Sequence, residues 1–198
     1  MDKKEIQAFF DSLADSWDSD MIKTQWKIDK ILDVAQVSDG KNVLDVACGT
    51  GVLVSDYLKR NVSKYVGVDL SERMIKTASR KFSKNKNVEF LCADAENFEF
   101  SQGFDCIVIY NAFPHFTDPE QLFKNLSKCL KDPGRITIAH GMSRESLIKH
   151  HSARAKNISA ILPEAGELAE AMKAYYNIDT IISSDEIYIV SGWKCNNS

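Results

Sequence analysis

Short apolar runs alternate, through the middle of this chain, with segments that carry apolar residues at helical spacing. Runs of this kind bounded by turn residues are typical of buried strands, and strands that alternate with helices form a parallel sheet. The pattern therefore predicts an α/β fold. The predicted strands are a run from 43 that ends at the turn 47–51, followed by 64–70, 88–92, 104–110 and 135–140.

The two ends of the chain depart from this alternation. Near the N-terminus, apolar residues at steps of three and four over 6–17 predict an amphipathic helix, and a second helix is predicted over 26–35. Near the C-terminus, apolar runs at 177–183 and 186–191 flank a short polar turn. These two runs predict a hairpin, which adds an antiparallel strand to the sheet.

The segment between the fifth strand and the hairpin is predicted to be helical. Ser143 is the expected N-cap of a helix over 143–161, and a second helix begins at Pro163. Helical spacing puts Arg144 and His151 on one inward-facing side of the first helix. We therefore expect a single domain over 1–198, made of N-terminal helices at 1–40, a core at 41–142, a helical insertion at 143–176 and the hairpin at 177–198.

The first predicted strand runs directly into a turn of small residues. Residues 43–53 read Val-Leu-Asp-Val-Ala-Cys-Gly-Thr-Gly-Val-Leu, which is a strand, a bend and the start of a helix. Small residues at such a bend let a ligand approach bare backbone at a helix N-terminus, where N–H groups favour a negative group. A dinucleotide-binding turn would need a third small residue, but Val52 follows Gly51, and Asp45 lies inside the strand. The pattern therefore disfavours a nucleotide-dependent oxidoreductase.

The turn reads acid-x-small-x-Gly-x-Gly, which resembles motif I of class I S-adenosylmethionine-dependent methyltransferases, with Ala47 in the first glycine position. Two later elements match in order, because Asp69 closes the second strand about 20 residues after the turn and residues 94–96 follow the third strand. The resemblance covers roughly 41–139 and is nearest to the small-molecule branch that includes the ubiquinone and menaquinone biosynthesis methyltransferases. It implies a Rossmann-like, doubly wound sheet of seven mostly parallel strands, with a terminal antiparallel hairpin and an N-terminal helical lid.

The resemblance also implies the cofactor, S-adenosylmethionine, whose product is S-adenosylhomocysteine. By the family pattern, Asp69 holds the cofactor ribose, Met74 lies over the adenine and Asp94 begins the element that contacts the adenine. The first helix and Trp17 would close over the cofactor. The residues expected to bind the cofactor are Trp17, Asp45, Ala47, Gly49, Thr50, Gly51, Asp69, Leu70, Met74, Asp94, Ala95, Glu96 and Asn111.

The substrate half of the site is predicted from the ends of the fourth and fifth strands, since ligands of parallel sheets bind past the carboxyl ends. All 4 histidines fall in that part of the chain, and histidine is suited to removing a proton near neutral pH. His115 and His140 are the predicted catalytic residues, with a structural hydrogen-bonding role left open for each. A metal site is not expected, because the histidines lack a His-x-x-x-His pair. The residues expected to contact the substrate are Phe113, His115, His140, Arg144 and His151.

Composition narrows the class of protein. The 198 residues are 44% hydrophobic and 27% charged, which suits one sizeable core. No apolar run approaches the ~18 residues of a membrane span and the N-terminus is not a signal peptide, so a cytoplasmic protein is expected. The 5 cysteines lack a Cys-x-x-Cys pair, which argues against a disulfide framework or a zinc cluster. A net charge of −3 argues against nucleic acid as a partner.

The sequence therefore predicts an enzyme that moves the methyl group of S-adenosylmethionine to a small-molecule acceptor by in-line displacement. The acceptor stays open between a quinone-type compound, which would suit the aromatic loop 113–116, and a small anion or thiol, which would suit Arg144 and the histidines. A nucleobase is disfavoured, because Asn111 alone is kept of the motif typical of nucleic-acid amine methyltransferases. The alternative function is a non-catalytic S-adenosylmethionine-binding sensor or partner subunit. We expect a monomer or a homodimer.

Overall fold

The computed structural model describes residues 2–20, 23–154 and 158–195, with side chains described throughout except at Asp20 and 150–154. Within these residues the strands are β1 (Asn42–Val46), β2 (Lys64–Asp69), β3 (Val88–Cys92), β4 (Phe104–Tyr110), β5 (Leu130–His140), β6 (Tyr176–Ser183) and β7 (Tyr188–Lys194). The helices are α1 (Lys3–Leu13), α2 (Trp17–Asp20), α3 (Gln25–Val34), α4 (Val54–Lys59), α5 (Glu72–Lys81), α6 (Pro119–Cys129), α7 (Arg144–Arg154) and α8 (Ala165–Met172), with a short 3₁₀ helix at Phe113–His115.

The strands form a 7-stranded sheet in the order β3-β2-β1-β4-β5-β7-β6. The first five strands pair in parallel, and β7 runs antiparallel to both β5 and β6. This topology confirms the predicted α/β fold with a mostly parallel sheet and a terminal antiparallel hairpin. Because β1 pairs with β2 on one side and β4 on the other, a crevice opens at the carboxyl ends of β1 and β4.

Both faces of the sheet are covered by helices, which explains why its central strands read as continuous apolar runs. Leu44 of β1 belongs to a buried cluster on one face together with Phe123 of α6. Its neighbour Val43 belongs to a buried cluster on the other face together with Leu32 of α3. Successive strand residues point to opposite faces, so the core lies in two layers and the ends of the strands stay available for a ligand.

The predicted N-terminal helix over 6–17 is divided into α1 and α2. Asp2 is the N-cap of α1, because its side chain accepts a hydrogen bond from the Lys4 N–H at 2.7 Å. Ile6 is the buried residue of α1, and it belongs to a small apolar cluster with Ile158. We call residues 2–20 the lid. Neither of its helices, nor any other helix in the described part of the chain, is long and apolar enough to cross a membrane.

Two other elements differ from the sequence prediction. α7 begins as expected, since the Ser143 Oγ accepts from the Ser146 N–H at 3.1 Å, but the described residues 158–164 after it contain no helix. β5 begins at Leu130, directly after α6, whereas the sequence predicts a strand that begins at 135. The pairing of β5 with β4 is interrupted there by a register shift, so the extra residues form a bulge within the strand.

Gly192 of β7 lies against β6. A Cβ at this position would stand 2.5 Å from the backbone oxygen of Asn177, which cannot rotate away as a side chain can. We expect Gly192→Ala to lower the free energy of unfolding by about 2 kcal/mol, as overpacking of a core does. Urea denaturation measures this change.

Gly166→Ala in α8 is the matched control, because nothing lies within 4 Å of a Cβ at that position. Alanine is the better helix former, so this variant should gain about 0.5 to 1 kcal/mol in the same measurement. Equal effects of the two variants would contradict the packing argument.

Candidate cofactor and substrate site

A cavity of about 640 Å³ opens at the carboxyl ends of β1 to β4 and is covered by the lid. Its wall contains Asp45 of β1, Asp69 at the end of β2, Asp94 after β3 and Asn111 after β4. The cavity thus lies where the strand order reverses, which is where ligands of doubly wound sheets bind.

The turn after β1 holds three residues in the left-handed region. The φ angle is 58° at Ala47, 56° at Gly49 and 78° at Gly51. Glycine enters this region without steric cost, whereas a residue with a Cβ is strained there by on the order of 1 kcal/mol. Ala47 therefore carries strain at the position of the first motif glycine, next to the cavity.

Thr50 and Gly51 were predicted to bind the cofactor, but they do not line the cavity. Thr50 is fully buried, and its Oγ1 donates to the Asp18 carboxylate of the lid at 2.5 Å. A Cβ on Gly51 would lie 2.9 Å from the Phe82 ring, so packing requires glycine at this position. The other predicted cofactor residues all line the cavity.

Asp69 connects the turn to the helix that follows β2. Its Oδ2 accepts from the Gly49 N–H and its Oδ1 accepts from the Ser71 N–H, each at 2.8 Å. Burial raises the pKa of Asp69 to about 6, although these two hydrogen bonds oppose the rise. Each carboxylate oxygen has a second lone pair, so Asp69 can still accept hydrogen bonds from a diol.

Asp45 is a second acid beside the turn and is 2% exposed. Its Oδ2 accepts a hydrogen bond from the Tyr65 hydroxyl at 3.1 Å. Burial raises the pKa of Asp45 to about 7; the Tyr65 bond opposes this rise and the charge of Asp69 adds to it. Buried acids are costly unless they meet a cation, so this end of the cavity suits a positively charged ligand.

Lys3 is a cavity residue that the sequence reasoning missed. Its Nζ lies 2.6 Å from the Asp94 Oδ2 and forms an ion pair with Glu96. Glu96 is 1% exposed and also accepts from the backbone N–H groups of Thr117 and Asp118. Burial raises the pKa of Asp94, but the Lys3 ammonium, together with the other hydrogen bonds to this carboxylate, lowers it by more, so this pKa lies below its usual value. No local pattern could identify this lysine, because it is 91 residues away from Asp94 along the chain.

Further polar contacts hold the lid against the cofactor half. The Ser71 Oγ donates to the Asp11 carboxylate at 2.6 Å, and the Lys81 Nζ lies 2.6 Å from the Asp18 carboxylate. A third pair joins Asp15 to an arginine of α5. These contacts all go to the segment around α5, so the lid is joined by charged groups to one half of the site.

Aromatic side chains of the lid reach the other half. The centroid of the Phe10 ring lies 5.0 Å from that of the His115 ring and 5.8 Å from that of the Trp17 ring, and both pairs are edge-to-face. The lid therefore contacts the cofactor half through charges and the substrate half through aromatic packing.

His115 lies in the 3₁₀ helix after β4 and lines the cavity. Its Nδ1 is 2.9 Å from the Ile158 carbonyl oxygen. Since a carbonyl can only accept, Nδ1 carries the proton in the neutral ring and Nε2 carries the lone pair. Burial lowers the pKa of His115, against the effect of the bond to Ile158. The neighbouring wall is apolar and includes Phe116, Met142 and Leu147.

Two predicted substrate residues belong to the core and not to the cavity wall. His140 is 0% exposed at the end of β5, and its ring lies 5.9 Å from the Tyr188 ring of β7. Phe113 stacks on Phe123 of α6 with ring centroids 5.9 Å apart. The packing of β7 and α6 decides these orientations.

Arg144 is also placed outside the cavity wall. Its Nε donates to the Leu162 carbonyl oxygen at 2.9 Å, and its Nη1 pairs with Glu164 at 2.9 Å. It thus anchors the segment that follows α7. The remaining predicted substrate residue, His151, lies outside the residues whose side chains are described. Among the described residues, no three or more His, Cys, Asp or Glu side chains are grouped to hold a metal ion.

Sequence comparison matches this chain to known proteins. A family model described as a methyltransferase domain matches residues 43–134. A ubiquinone biosynthesis O-methyltransferase from Coxiella burnetii is 31% identical over 143 residues, which is 69% of this chain and 61% of that protein. The chain belongs to the class I S-adenosylmethionine-dependent methyltransferases.

Other known proteins are similar to this methyltransferase. A malonyl-[acyl-carrier protein] O-methyltransferase from Acetivibrio thermocellus is 32% identical over 164 residues, covering 79% of this chain and 57% of that protein. A magnesium protoporphyrin IX methyltransferase from Synechocystis PCC 6803, solved with bound SAH, shares the fold at a TM-score of 0.74 and 17% identity, covering 98% of this chain and 100% of the other. The chain spans about three fifths of the length of these curated relatives, 61% and 57%.

S-adenosylmethionine is the cofactor of this methyltransferase, and the cavity residues fit it. The cofactor is positively charged at its sulfur and its amino group, and Asp45 and Asp69 supply negative charge beside the turn. We propose that Asp69 accepts hydrogen bonds from the ribose hydroxyls and that the apolar side chains of Leu70 and Met74 contact the adenine.

Asp69→Ala tests the ribose assignment in this methyltransferase. Loss of a carboxylate that accepts hydrogen bonds should weaken S-adenosylmethionine binding about 30-fold, which corresponds to about 2 kcal/mol. Isothermal titration measures the affinity, and circular dichroism checks that the variant is folded. Glu99→Ala, which removes an exposed carboxylate outside the cavity wall, is the control and should bind as the wild type does. A folded Asp69→Ala with full affinity would contradict the assignment.

Lys3→Met tests the contact between the lid and the cofactor half. Without the ammonium, Glu96 remains buried but has lost its ion-pair partner, so the closed position of the lid should become less stable. We expect S-adenosylmethionine to dissociate about fivefold faster, which corresponds to on the order of 1 kcal/mol. Stopped-flow fluorescence measures this rate. Lys4→Met, a change at the exposed neighbour on the same helix, should leave the rate unaltered; equal rates in the two variants would argue against the contact.

Proposed function

We propose that this chain transfers the methyl group of S-adenosylmethionine to a hydroxyl group of a small, uncharged and largely apolar molecule. The observation that carries the proposal is the continuity of the cavity, which extends from the acids beside the turn to His115 within an apolar wall. When bound, the cofactor supplies a methyl group activated by its positively charged sulfur. The chain's own residues must then bind, orient and deprotonate the acceptor.

The position of the lid supports a small acceptor. Phe10 of the lid packs against His115, so the acceptor-facing end of the cavity is covered by the same element that covers the cofactor. A small molecule can be enclosed beneath such a cover, and enclosure keeps water away from the reacting atoms. A polymer would have to pass through the lid.

His115 supports a hydroxyl acceptor that needs a base. The hydrogen bond to the Ile158 carbonyl fixes the neutral tautomer with its lone pair on Nε2. Burial lowers the pKa of His115, so the ring is neutral at pH 7 and able to accept a proton. A hydroxyl group becomes a stronger nucleophile when a base takes its proton as the new bond to carbon forms. Both curated relatives are named as O-methyltransferases, which agrees with oxygen as the acceptor atom.

The charges of the cavity favour an uncharged acceptor. Among the described residues, the cationic side chain in the wall is Lys3, and it pairs with Asp94 and Glu96. Arg144, the residue expected to hold an anion, pairs with Glu164 outside the wall. The described part of the wall near His115 therefore offers no cation to a carboxylate. A quinone-type or other neutral hydroxyl compound fits better than a small anion.

The non-catalytic alternative, a sensor or partner subunit, is not favoured. A binding protein for S-adenosylmethionine needs only the cofactor half, whereas this cavity also contains an oriented neutral histidine between apolar walls. That arrangement serves an acceptor and adds nothing to cofactor binding.

The proposal is tested with the purified protein, S-adenosylmethionine and a panel of phenols, quinols, thiols and carboxylic acids of similar size. Release of S-adenosylhomocysteine measures transfer. We expect turnover with hydroxyl acceptors and none with carboxylates, and His115→Gln should lower kcat about 100-fold, as loss of a general base does. Glutamine can still donate to the Ile158 carbonyl, so the affinity for S-adenosylmethionine should stay the same. Cofactor binding without transfer to any acceptor would instead favour the non-catalytic alternative.

The pH profile separates a base from a structural histidine. Protonation removes the lone pair, so the wild-type rate should fall on acidification, and burial places this fall below the ordinary histidine pKa of about 6.5. His115→Gln should lack this acid limb. The same limb in both proteins would show that another group is responsible for it.

A further inference from the structure

A buried hydrogen bond lies directly behind the wall of the cofactor cavity. Tyr65 of β2 is 0% exposed, and its hydroxyl donates to the Asp45 Oδ2 at 3.1 Å. Asp45 lines the cavity, whereas Tyr65 does not. Tyr65 can therefore influence a bound cofactor only through wall residues that its hydroxyl contacts, which are Asp45 and, beside it, Cys48.

Gly67 makes room for this hydrogen bond. It pairs with Asp45 across β1 and β2. A Cβ on Gly67 would stand 2.7 Å from the Tyr65 Oη and 2.8 Å from the Cys48 Sγ. Glycine weakens a strand interior, and its presence there marks a close approach of other groups. The space left by Gly67 is the space through which the Tyr65 hydroxyl reaches the carboxylate.

The ring of Tyr65 is held in place by aromatic neighbours on both sides. Its centroid lies 5.3 Å from that of Tyr57 in α4 and 5.7 Å from that of Phe90 in β3. Contacts of this kind restrict the ring to one orientation. The hydroxyl is therefore aimed at Asp45 by packing before any ligand arrives.

The ionisable groups around Asp45 are themselves acids. They are Tyr65 from β2, Asp69 at the end of β2, Cys48 in the turn and Tyr57 from α4. Burial holds the pKa of Cys48, Tyr57 and Tyr65 well above their ordinary values, so these three groups stay protonated at neutral pH. Of the groups that face Asp45, the Tyr65 hydroxyl is the one that favours its charged form.

We propose that Tyr65 is a positioning residue for S-adenosylmethionine, because its hydroxyl holds the Asp45 carboxylate as an oriented anion facing the cationic part of the cofactor. The cofactor carries positive charge at its sulfur and its amino group, and Asp45 lines the cavity beside the turn that receives it. The proposal rests on the cofactor site of the proposed function and does not depend on the acceptor.

Tyr65→Phe tests this role through the pH dependence of cofactor affinity, measured by isothermal titration. Asp45 has a pKa of about 7 and is therefore about half ionised at pH 7. Loss of one hydrogen bond should raise that pKa by about one unit, so S-adenosylmethionine should bind about fivefold more weakly at pH 7. At pH 9 the carboxylate is ionised in both proteins, and the two affinities should agree within about twofold.

Tyr57→Phe is the matched control, since it removes a buried hydroxyl from the same aromatic cluster. The Tyr57 hydroxyl has no hydrogen-bond partner among the described residues, so this variant should bind as the wild type does at both pH values. In an Asp45→Asn background, adding Tyr65→Phe should produce no further loss at pH 7, because the group through which Tyr65 acts no longer titrates.

Three outcomes would overturn the proposal. They are equal weakening of Tyr65→Phe at pH 7 and pH 9, the same weakening in Tyr57→Phe, and a further loss in the Asp45→Asn background. Recovery of affinity at pH 9 would support it and would also show that the variant is folded. A wild type that binds no S-adenosylmethionine would overturn both this proposal and the proposed function. A wild type that binds but transfers no methyl group would overturn the proposed function alone.

Discussion

The hydrogen bond from the Gly49 N–H to the Asp69 carboxylate is the contact on which the cofactor half of the site depends. It joins the turn after β1 to the end of β2, so the two strand ends support each other across the crevice. The same carboxylate accepts from the Ser71 N–H, and Ser71 caps α5. One side chain thereby sets the relative positions of a turn, a strand end and a helix. The left-handed φ of Gly49 is part of the backbone path that brings its N–H to this carboxylate.

This arrangement places several acidic side chains together in the cavity, and their burial lowers the stability of the folded protein. Burial raises the pKa of Asp69 to about 6 and of Asp45 to about 7, whereas Lys3 keeps the pKa of Asp94 low. A folded-state pKa above the unfolded value of 3.8 means that the unfolded chain releases its proton first as the pH rises. Asp45 and Asp69 therefore reduce stability progressively between about pH 4 and pH 7. A cationic cofactor offsets this loss, so binding and stability are linked through the same two carboxylates.

The lid connects the two halves of the site. Its charged side chains bond to the cofactor half, through Asp11 to Ser71 and through Lys3 to the acids after β3, while its Phe10 ring packs against His115. One element that contacts both halves would cover the cofactor and the acceptor together. This coupling suits a transfer reaction, which needs both reactants in place and water kept out before the methyl group moves.

The local sequence determined the strands and helices of the α/β fold and the acids that follow the strands. These acids come together because the carboxyl ends of parallel strands meet at one edge of the sheet. Asp69 and Asp94 reach the cavity for that reason. The tertiary structure decided the break between α1 and α2, the end of α7 and much of the substrate half. His140 also ends a strand but packs under β7, Arg144 is paired within a later segment, and Lys3 reaches the cavity from the N-terminus. The direction of a side chain depends on neighbours supplied by distant segments, and no local pattern contains them.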